Sequence, residues 1–177
     1  DVAASVHGGA LSYTLSPKGA RVVPVQLPAD VVIEVFWCGS PALTTGMRAR
    51  VEALRERNAA VHAARLLAIA DASVAAIIAA GADDARAFVA ALGQGADALV
   101  ALGRDADSPI VPPAQLDLVR LAAADGGAFL PSGAGGGDVF VHVAPRPAPP
   151  RLRAAAEAAG MRHVPIHVDR GGVRLVS

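Results

Sequence analysis

Four glycines, Gly133, Gly135, Gly136 and Gly137, fall within the seven residues from Ser132 to Asp138. Glycine has no Cβ, so nothing in such a stretch keeps an anion away from the backbone amides, and a loop of this kind can wrap a phosphate. A flexible surface turn has the same composition. The flanks separate the two readings: Ala128 to Leu130 and Val139 to Ala144 both read as apolar strands, and a loop held between core strands is a frequent place for a site.

Other residues offer less. Ser40, Thr44 and Thr45 give a small, hydroxyl-bearing stretch after a buried strand. His163 and His167, with Asp169 nearby, have a spacing compatible with a metal, yet zinc normally takes three or four ligands and a third convergent group is not evident. His7, His62 and His142 have still less behind them, and no metal site is expected. Cys38 is the only cysteine, which excludes an intrachain disulfide and fits a reducing compartment. With no adjacent His or Lys to lower its pKa, it reads as a small buried or loop residue. Trp37 reads as core. Lys18 is the only lysine among 16 basic residues, so the lysine common in phosphoryl-transfer sites must be Lys18 or come from elsewhere.

The elements that would position these residues follow from pattern. Val6 to Leu15 and Arg21 to Leu27 read as strands around the turn Ser16-Pro17-Lys18-Gly19. Asp30 to Trp37 reads as a largely buried strand, stopped at Cys38-Gly39-Ser40-Pro41. A helix capped by Thr44 or Thr45 runs to about Arg57. A second follows at once, with Leu67, Val74, Ile77 and Ile78 at helical spacing and Gly81 as its left-handed stop. A third starts from an Asp83 cap and gathers Phe88, Leu92, Ala96, Leu99 and Leu102 on one face. Pro112-Pro113 opens a fourth, from about Ala114 to Ala124. After Val139 to Ala144 come a stiff connector at Pro145 to Pro150, a helix from Arg151 to about Ala159, and two strands, His163 to Val168 and Val173 to Val176. This order predicts an α+β domain, with helices packed on one face of a mainly antiparallel sheet.

The 177 residues suffice for one main domain or one domain plus the end of another. Sixteen acidic residues balance the sixteen basic ones, so no long-range field favours nucleic acid or an anionic membrane. The longest apolar stretches, such as Leu66 to Ala80, read as too short or too interrupted for a membrane span, and a cytoplasmic location is expected. Asp1 runs directly into the apolar Val2 to Val6, which suggests a fragment or a processed chain.

Three segments resemble the GHMP kinase superfamily. Pro131-Ser132-Gly133-Ala134-Gly135-Gly136-Gly137-Asp138 is similar to its third signature. Asp1 to Ser5 followed by Gly8-Gly9 resembles the segment that carries an active-site aspartate, and Trp37 to Thr45 is similar to the Trp-Thr-Gly-Ser-Pro-Ala-Ser-Thr segment of phosphomevalonate kinases. Leu130, Cys38 and Leu43 depart from the pattern, where lysine, threonine and serine are usual; either an arginine such as Arg48 or Arg50 compensates for the missing cation, or the acceptor differs.

The resemblance implies a GHMP carboxy-terminal domain with a ferredoxin-like core over residues 29–177, preceded by the last helix and strands of the amino-terminal domain over 1–28. It implies ATP- and Mg²⁺-dependent phosphorylation of 5-phosphomevalonate to 5-diphosphomevalonate. Asp1 would be catalytic, and Ser132, Gly133, Ala134, Gly135, Gly136 and Gly137 would bind substrate or phosphate, with Ser40, Thr44 and Thr45 as a further substrate loop. The ATP-cradling loop and the lysine belong to the family's amino-terminal domain, and neither occurs here, so the chain alone is expected to be inactive. A mevalonate kinase or another small-molecule kinase keeps the superfamily and changes the acceptor. A non-catalytic anion-binding α+β module is the alternative of another class.

Overall fold

The computed structural model describes residues 2–39, 44–133 and 135–174. A short helix α1 (Val2–His7) leads into a hairpin of β1 (Ala10–Ser16) and β2 (Gly19–Val25), closed by Gly19 at a φ of 113°. The strand expected from Val6 therefore starts later. Gly8 and Gly9, both left-handed, separate the helical Val6 and His7 from it.

Strand β3 (Val32–Trp37) is followed by four helices, α2 (Thr44–Arg57), α3 (Ala59–Gly81), α4 (Ala85–Asp105) and α5 (Pro113–Ala124). Then come β4 (Ala128–Pro131), β5 (Val139–Ala144), α6 (Pro150–Ala158) and β6 (Arg162–Val164). The sheet order is β4-β5-β3-β6 with every neighbour antiparallel. Helices separate β3 from β4 and β5 from β6, so the antiparallel sheet has the βαββαβ connectivity of a ferredoxin-like core, as the resemblance implied.

Residues opposite one another across a ladder share a face. Phe36 lies opposite Phe140, while Glu34 and Phe129 both lie opposite His142, which puts all five on one side. There the rings of Phe129 and Phe140 stack at 5.3 Å and Phe36 meets Phe129 at 5.7 Å. Leu118 and Ala122 of α5, Leu152 and Ala156 of α6, and Met161 complete this core. Ala128 and Val143 alternate to the other face and pack with Phe88 and Val89 of α4 and with alanines of α3, so helices cover both faces of the sheet rather than the one face expected.

Helix α3 turns its bulk outward. Leu67, Val74 and Ile78 are exposed, whereas Ala72, Ala76, Ala79 and Ala80 are buried. Small residues allow close approach to α4: a Cβ built on Gly95 would lie 3.7 Å from the Cβ of Ala72. Helix α3 is one unbroken helix of 23 residues containing an 18-residue stretch of mean hydropathy 1.8, and is long and apolar enough to cross a membrane by length and composition, as is α4. The interruptions read from the sequence do not break either helix. Helix α3 packs on α4 and α4 beside β4, and 22% of each apolar stretch is buried within the fold.

The caps also differ in detail. Asn58 accepts from the Val61 amide at 3.1 Å and so divides α2 from α3. Asp84, not Asp83, caps α4 through the Ala87 amide. The left-handed residue after α3 is Asp83 (φ 53°) rather than Gly81. That twist lets the Asp83 carboxylate accept from the Ala29 amide at 2.9 Å. No closing hairpin forms among the described residues. Only Arg162–Val164 is strand, because the following segment bonds to the start of the chain instead: the Gly9 amide donates to the Asp169 carbonyl at 2.6 Å and the Val173 amide to the Val6 carbonyl at 3.2 Å. Leu175 and Val176 lie outside the described residues.

Glu34 is buried at the centre of a polar cluster. Its carboxylate accepts from the Ala148 amide and the Arg153 guanidinium, with His163 at 3.7 Å and His142 at 3.4 Å. The carboxylate thereby ties the connector before α6, and α6 itself, to β3. Breaking a buried ionic contact costs about 3 kcal/mol or more because the partner is left uncompensated. Arg153 is partly exposed, so Glu34→Ala should fall at the lower end of that range in urea denaturation.

Burial holds the His142 pKa below the ordinary histidine range, Glu34 opposing this in part and Arg153 reinforcing it. The unfolded chain therefore binds a proton that the folded chain does not. This contribution to stability is complete above the unfolded value of about 6.5 and is lost as pH falls through the depressed folded value. His142→Gln should flatten that acid limb, read as urea midpoint against pH.

Candidate active site

The sheet brings four strand ends together. Trp37 lies opposite both Val139 and Arg162, so the end of β3, the start of β5 and the start of β6 meet where β4 finishes. The glycine loop closes this end. The Ser132 amide donates to the Val139 carbonyl at 2.9 Å, adding a rung to the β4–β5 ladder, and the Cys38 amide donates to the Asp138 carbonyl at 2.8 Å.

Within the loop, Gly135, Gly136 and Gly137 have φ values of 80°, 75° and 102°, in the left-handed region that L side chains avoid. The Gly136 amide donates to the Ile110 carbonyl at 2.9 Å. A Cβ on Gly135 would collide with that carbonyl oxygen and lie 2.9 Å from the Ile110 Cγ2. The loop thus has two limbs. One is pinned against the α4–α5 connector. The other, Ser132 and Gly133, is exposed, with open space where a Cβ on Gly133 would stand.

This corrects the expectation of a wholly available row of amides. Gly136 spends its N–H inside the fold, whereas the Gly133 amide has no partner among the described residues. Ala134, Asp1 and Ser40 lie outside the described residues.

The connector that holds the pinned limb is itself fixed. The Ser108 amide donates to the Gly103 carbonyl at 2.8 Å, and a Cβ on Gly103 would lie 2.6 Å from the Ser108 carbonyl oxygen. Arg50 of α2 donates to the carbonyl of Asp107, a left-handed residue (φ 49°). Arg50 is therefore committed to shaping the connector rather than standing as a cation beside the loop.

Arg162 was not singled out by the sequence. Its guanidinium lies 4.8 Å from the centre of the Trp37 ring, placing a positive charge at the loop end of the sheet. Only the β3–β6 register reveals it, and Trp37, read as core, is partly exposed beneath it. Thr44 and Thr45 are exposed in the first turn of α2, and no hydrogen bond or ion pair joins them to the loop among the described residues.

Burial and the nearby Asp138 carboxylate raise the Cys38 pKa, which keeps it a thiol, as its reading as an unreactive residue requires. Gln115, buried in the first turns of α5, brings its Nε2 to 4.0 Å from the Cys38 sulfur. His163 turns to Glu34 and Phe36. Asp169 instead pairs with Arg174 and accepts from the Gly171 amide, so the pair of histidines and Asp169 do not converge. Among the described residues no group of three or more His, Cys, Asp or Glu is placed to hold a metal.

No protein-family model and no curated protein matches the sequence. Solved structures do match the fold. A protein from Listeria innocua superposes with a TM-score of 0.76 at 22% identity, over 85% of this chain and 42% of that one. Homoserine kinase from Cytophaga hutchinsonii gives 0.68 at 14%, over 97% and 52%. Phosphomevalonate kinase from Streptococcus pneumoniae, in complex with phosphomevalonate and AMPPNP, gives 0.65 at 17%, over 81% and 41%. The fold is that of the carboxy-terminal half of GHMP kinases. The chain spans about half the length of these matched structures, and in this GHMP-type frame the glycine loop is the turn between the second and third strands of the ferredoxin-like sheet.

The two limbs should respond differently to one methyl group. Gly135→Ala meets both a backbone oxygen and a left-handed φ, and should cost at least about 2 kcal/mol. Gly133→Ala, facing open space, should stay within about 0.5 kcal/mol. Chemical denaturation of the two variants checks the difference.

Proposed function

We propose that this chain is the carboxy-terminal half of a GHMP-type kinase that transfers the γ-phosphoryl group of ATP, with Mg²⁺, to 5-phosphomevalonate. The observation that carries the reading is the Pro131 to Asp138 sequence on a loop with one limb fixed and the other open, at one end of a GHMP-type sheet. Phosphoryl transfer asks a protein mainly for positioning and charge stabilisation. On this reading the Ser132 hydroxyl and the amides of Gly133 and Ala134 orient the acceptor. The fixed Gly135–Gly136 limb keeps them from adjusting to it.

An acceptor phosphate is already ionised near neutral pH, so Asp1 need not act as a base. It would orient a lysine supplied by the amino-terminal half, whose last elements residues 1–28 would complete. Leu130 stands where the family's usual lysine would be, and Arg162, on the opposite edge strand β6, would contribute positive charge to this end of the sheet without taking that lysine's place. The nucleotide-cradling loop would come from the upstream half. No three metal-binding side chains converge among the described residues; the Mg²⁺ would be held by the phosphates and by residues of that half. Its chemistry when bound is to neutralise charge between the β- and γ-phosphates. A cytoplasmic location goes with this reading.

A second acceptor is favoured by one observation: the likeness to homoserine kinase extends over 97% of the chain, against 81% for phosphomevalonate kinase. The experiment is an ADP-release assay of the full two-domain protein with phosphomevalonate, mevalonate and homoserine in turn. Turnover of phosphomevalonate is expected, with Ser132→Ala lowering kcat/KM for the acceptor ~10–100-fold, as for loss of one positioning donor, while KM for ATP is unchanged. Turnover of mevalonate or homoserine alone would reassign the acceptor. Phosphate-loop binding without any ADP release would leave the non-catalytic anion-binding module.

A further inference from the structure

A cavity of about 450 Å³ lies at the other end of the sheet from the glycine loop. Strand β5 begins just after that loop and ends at Ala144, which lines this cavity, so the two are separated by roughly 20 Å of strand. Its size is that of a small-molecule site. Arg86, Asp125, His142, Arg146, Pro147 and Pro149 contribute to its wall.

The charges around it are unequal. Asp125 is already engaged by the Arg151 guanidinium, whose Nε donates to Oδ2 at 2.9 Å. Neither Arg86 nor Arg146 has an ion-pair partner among the described residues. Two unpaired guanidiniums therefore face a space whose one carboxylate is neutralised, which favours an anion. Arg86 stands in the first turn of α4, and Pro149 is the N-cap of α6, a helix start with no side-chain cap. Both helix dipoles add to the same preference.

The wall is stiff. Pro145, Pro147, Pro149 and Pro150 restrict the connector, and the Ala148 amide is anchored on Glu34. His142 supplies the independent sign of a ligand. Its ring is 1% exposed, and neither nitrogen makes a hydrogen bond of ordinary geometry among the described residues. Glu34 approaches Nδ1 at 3.4 Å, a long and weak contact, which leaves Nε2 as the nitrogen without any hydrogen-bond partner among the described residues. A Cβ on Gly127 would stand 2.9 Å from Nε2, so a glycine makes room for the ring at the edge of the cavity. Buried polar atoms of this kind are ordinarily satisfied by protein, water or ligand.

We propose that this cavity binds a small organic anion, its phosphate or paired carboxylates held between Arg86 and Arg146 and its apolar body lying on the prolines, with the His142 ring as the polar contact at the floor. The site is independent of the kinase reading, since it shares no residue with the glycine loop.

The test is an imidazole ¹⁵N NMR titration of this chain at low salt with inorganic phosphate and, separately, with succinate. The Gly133 amide, followed in the same samples, reports binding at the glycine loop separately. The expected result is a saturable shift of the His142 ring with one of the two anions, weakened ~10-fold or more in Arg86→Gln/Arg146→Gln. Saturation by phosphate alone assigns a phosphorylated ligand, and saturation by succinate alone a dicarboxylate. A His142 ring that neither anion moves overturns the proposal, as does one that moves equally in the double variant. Both arginines are exposed and make no structural ion pair, and Arg146→Gln alone repeats the comparison should the double variant unfold.

Discussion

The glycine loop holds its shape because a backbone oxygen occupies the space a side chain would need. The Ile110 carbonyl accepts the Gly136 amide and lies where a Cβ on Gly135 would be, so the loop seats against the α4–α5 connector only if residue 135 is glycine. The connector repeats the device one step back, since Gly103 lets the Ser108 carbonyl approach α4. Arg50 then draws α2 onto the same segment through the Asp107 carbonyl. Three helices are in this way engaged in fixing one limb of a loop between two strands. A contact between main-chain atoms has no rotamers to lose, which makes it a rigid support.

A different logic governs the far side of the fold. Glu34 is a carboxylate on the face of β3 that also carries Phe36, beside the stacked phenylalanines, and it is tolerated there because a backbone amide and a guanidinium both reach it. The pairing joins β3 to the connector and α6, elements far away in sequence. It also places a negative group beside His142, yet burial dominates and the ring stays neutral. A neutral ring keeps one donor and one acceptor nitrogen; beyond the long Glu34 contact at Nδ1, neither is hydrogen-bonded among the described residues.

Local rules made much of the fold legible. Proline at Pro112–Pro113, the glycines ending α5 and α6, and the apolar face from Phe88 to Leu102 mark their helices within a residue or so of where they occur. The loop was legible because its composition and its apolar flanks agree. What escaped depends on contacts between distant residues. Periodicity finds an apolar stripe on α3 but cannot say that the alanine face is the inner one; that follows from α4 packing against Ala72, Ala76, Ala79 and Ala80. The extended reading of Val6 differs from the structure where distant chain meets it: the Val6 carbonyl of α1 accepts from the Val173 amide and the Gly9 amide just after α1 donates to Asp169, each partner 160 or more positions away. Asp83 and Asp84 are equivalent as caps by type. Only the Ala29 amide, which takes one of them, decides the other. Arg162 and the Glu34–His142 pair are products of strand register, which single-strand patterns do not contain.

On the proposed kinase reading, a half-fixed loop suits what phosphoryl transfer would demand. Were every amide from Gly133 to Gly137 free, the loop would be a flexible glycine chain, and ordering it around an anion would cost about 1 kcal/mol or more per residue. Pinning Gly135 and Gly136 meets that cost during folding, at the expense of one amide donor. The remaining limb, Ser132 and Gly133, then leaves a strand end in a direction set by the Ser132–Val139 rung on one side and the Ile110 contact on the other. Positioning is what such a reaction needs most, so the loss of Gly136 as a ligand group is compatible with function: fewer donors, aimed by the fold, serve a transition state better than more donors that must first be ordered.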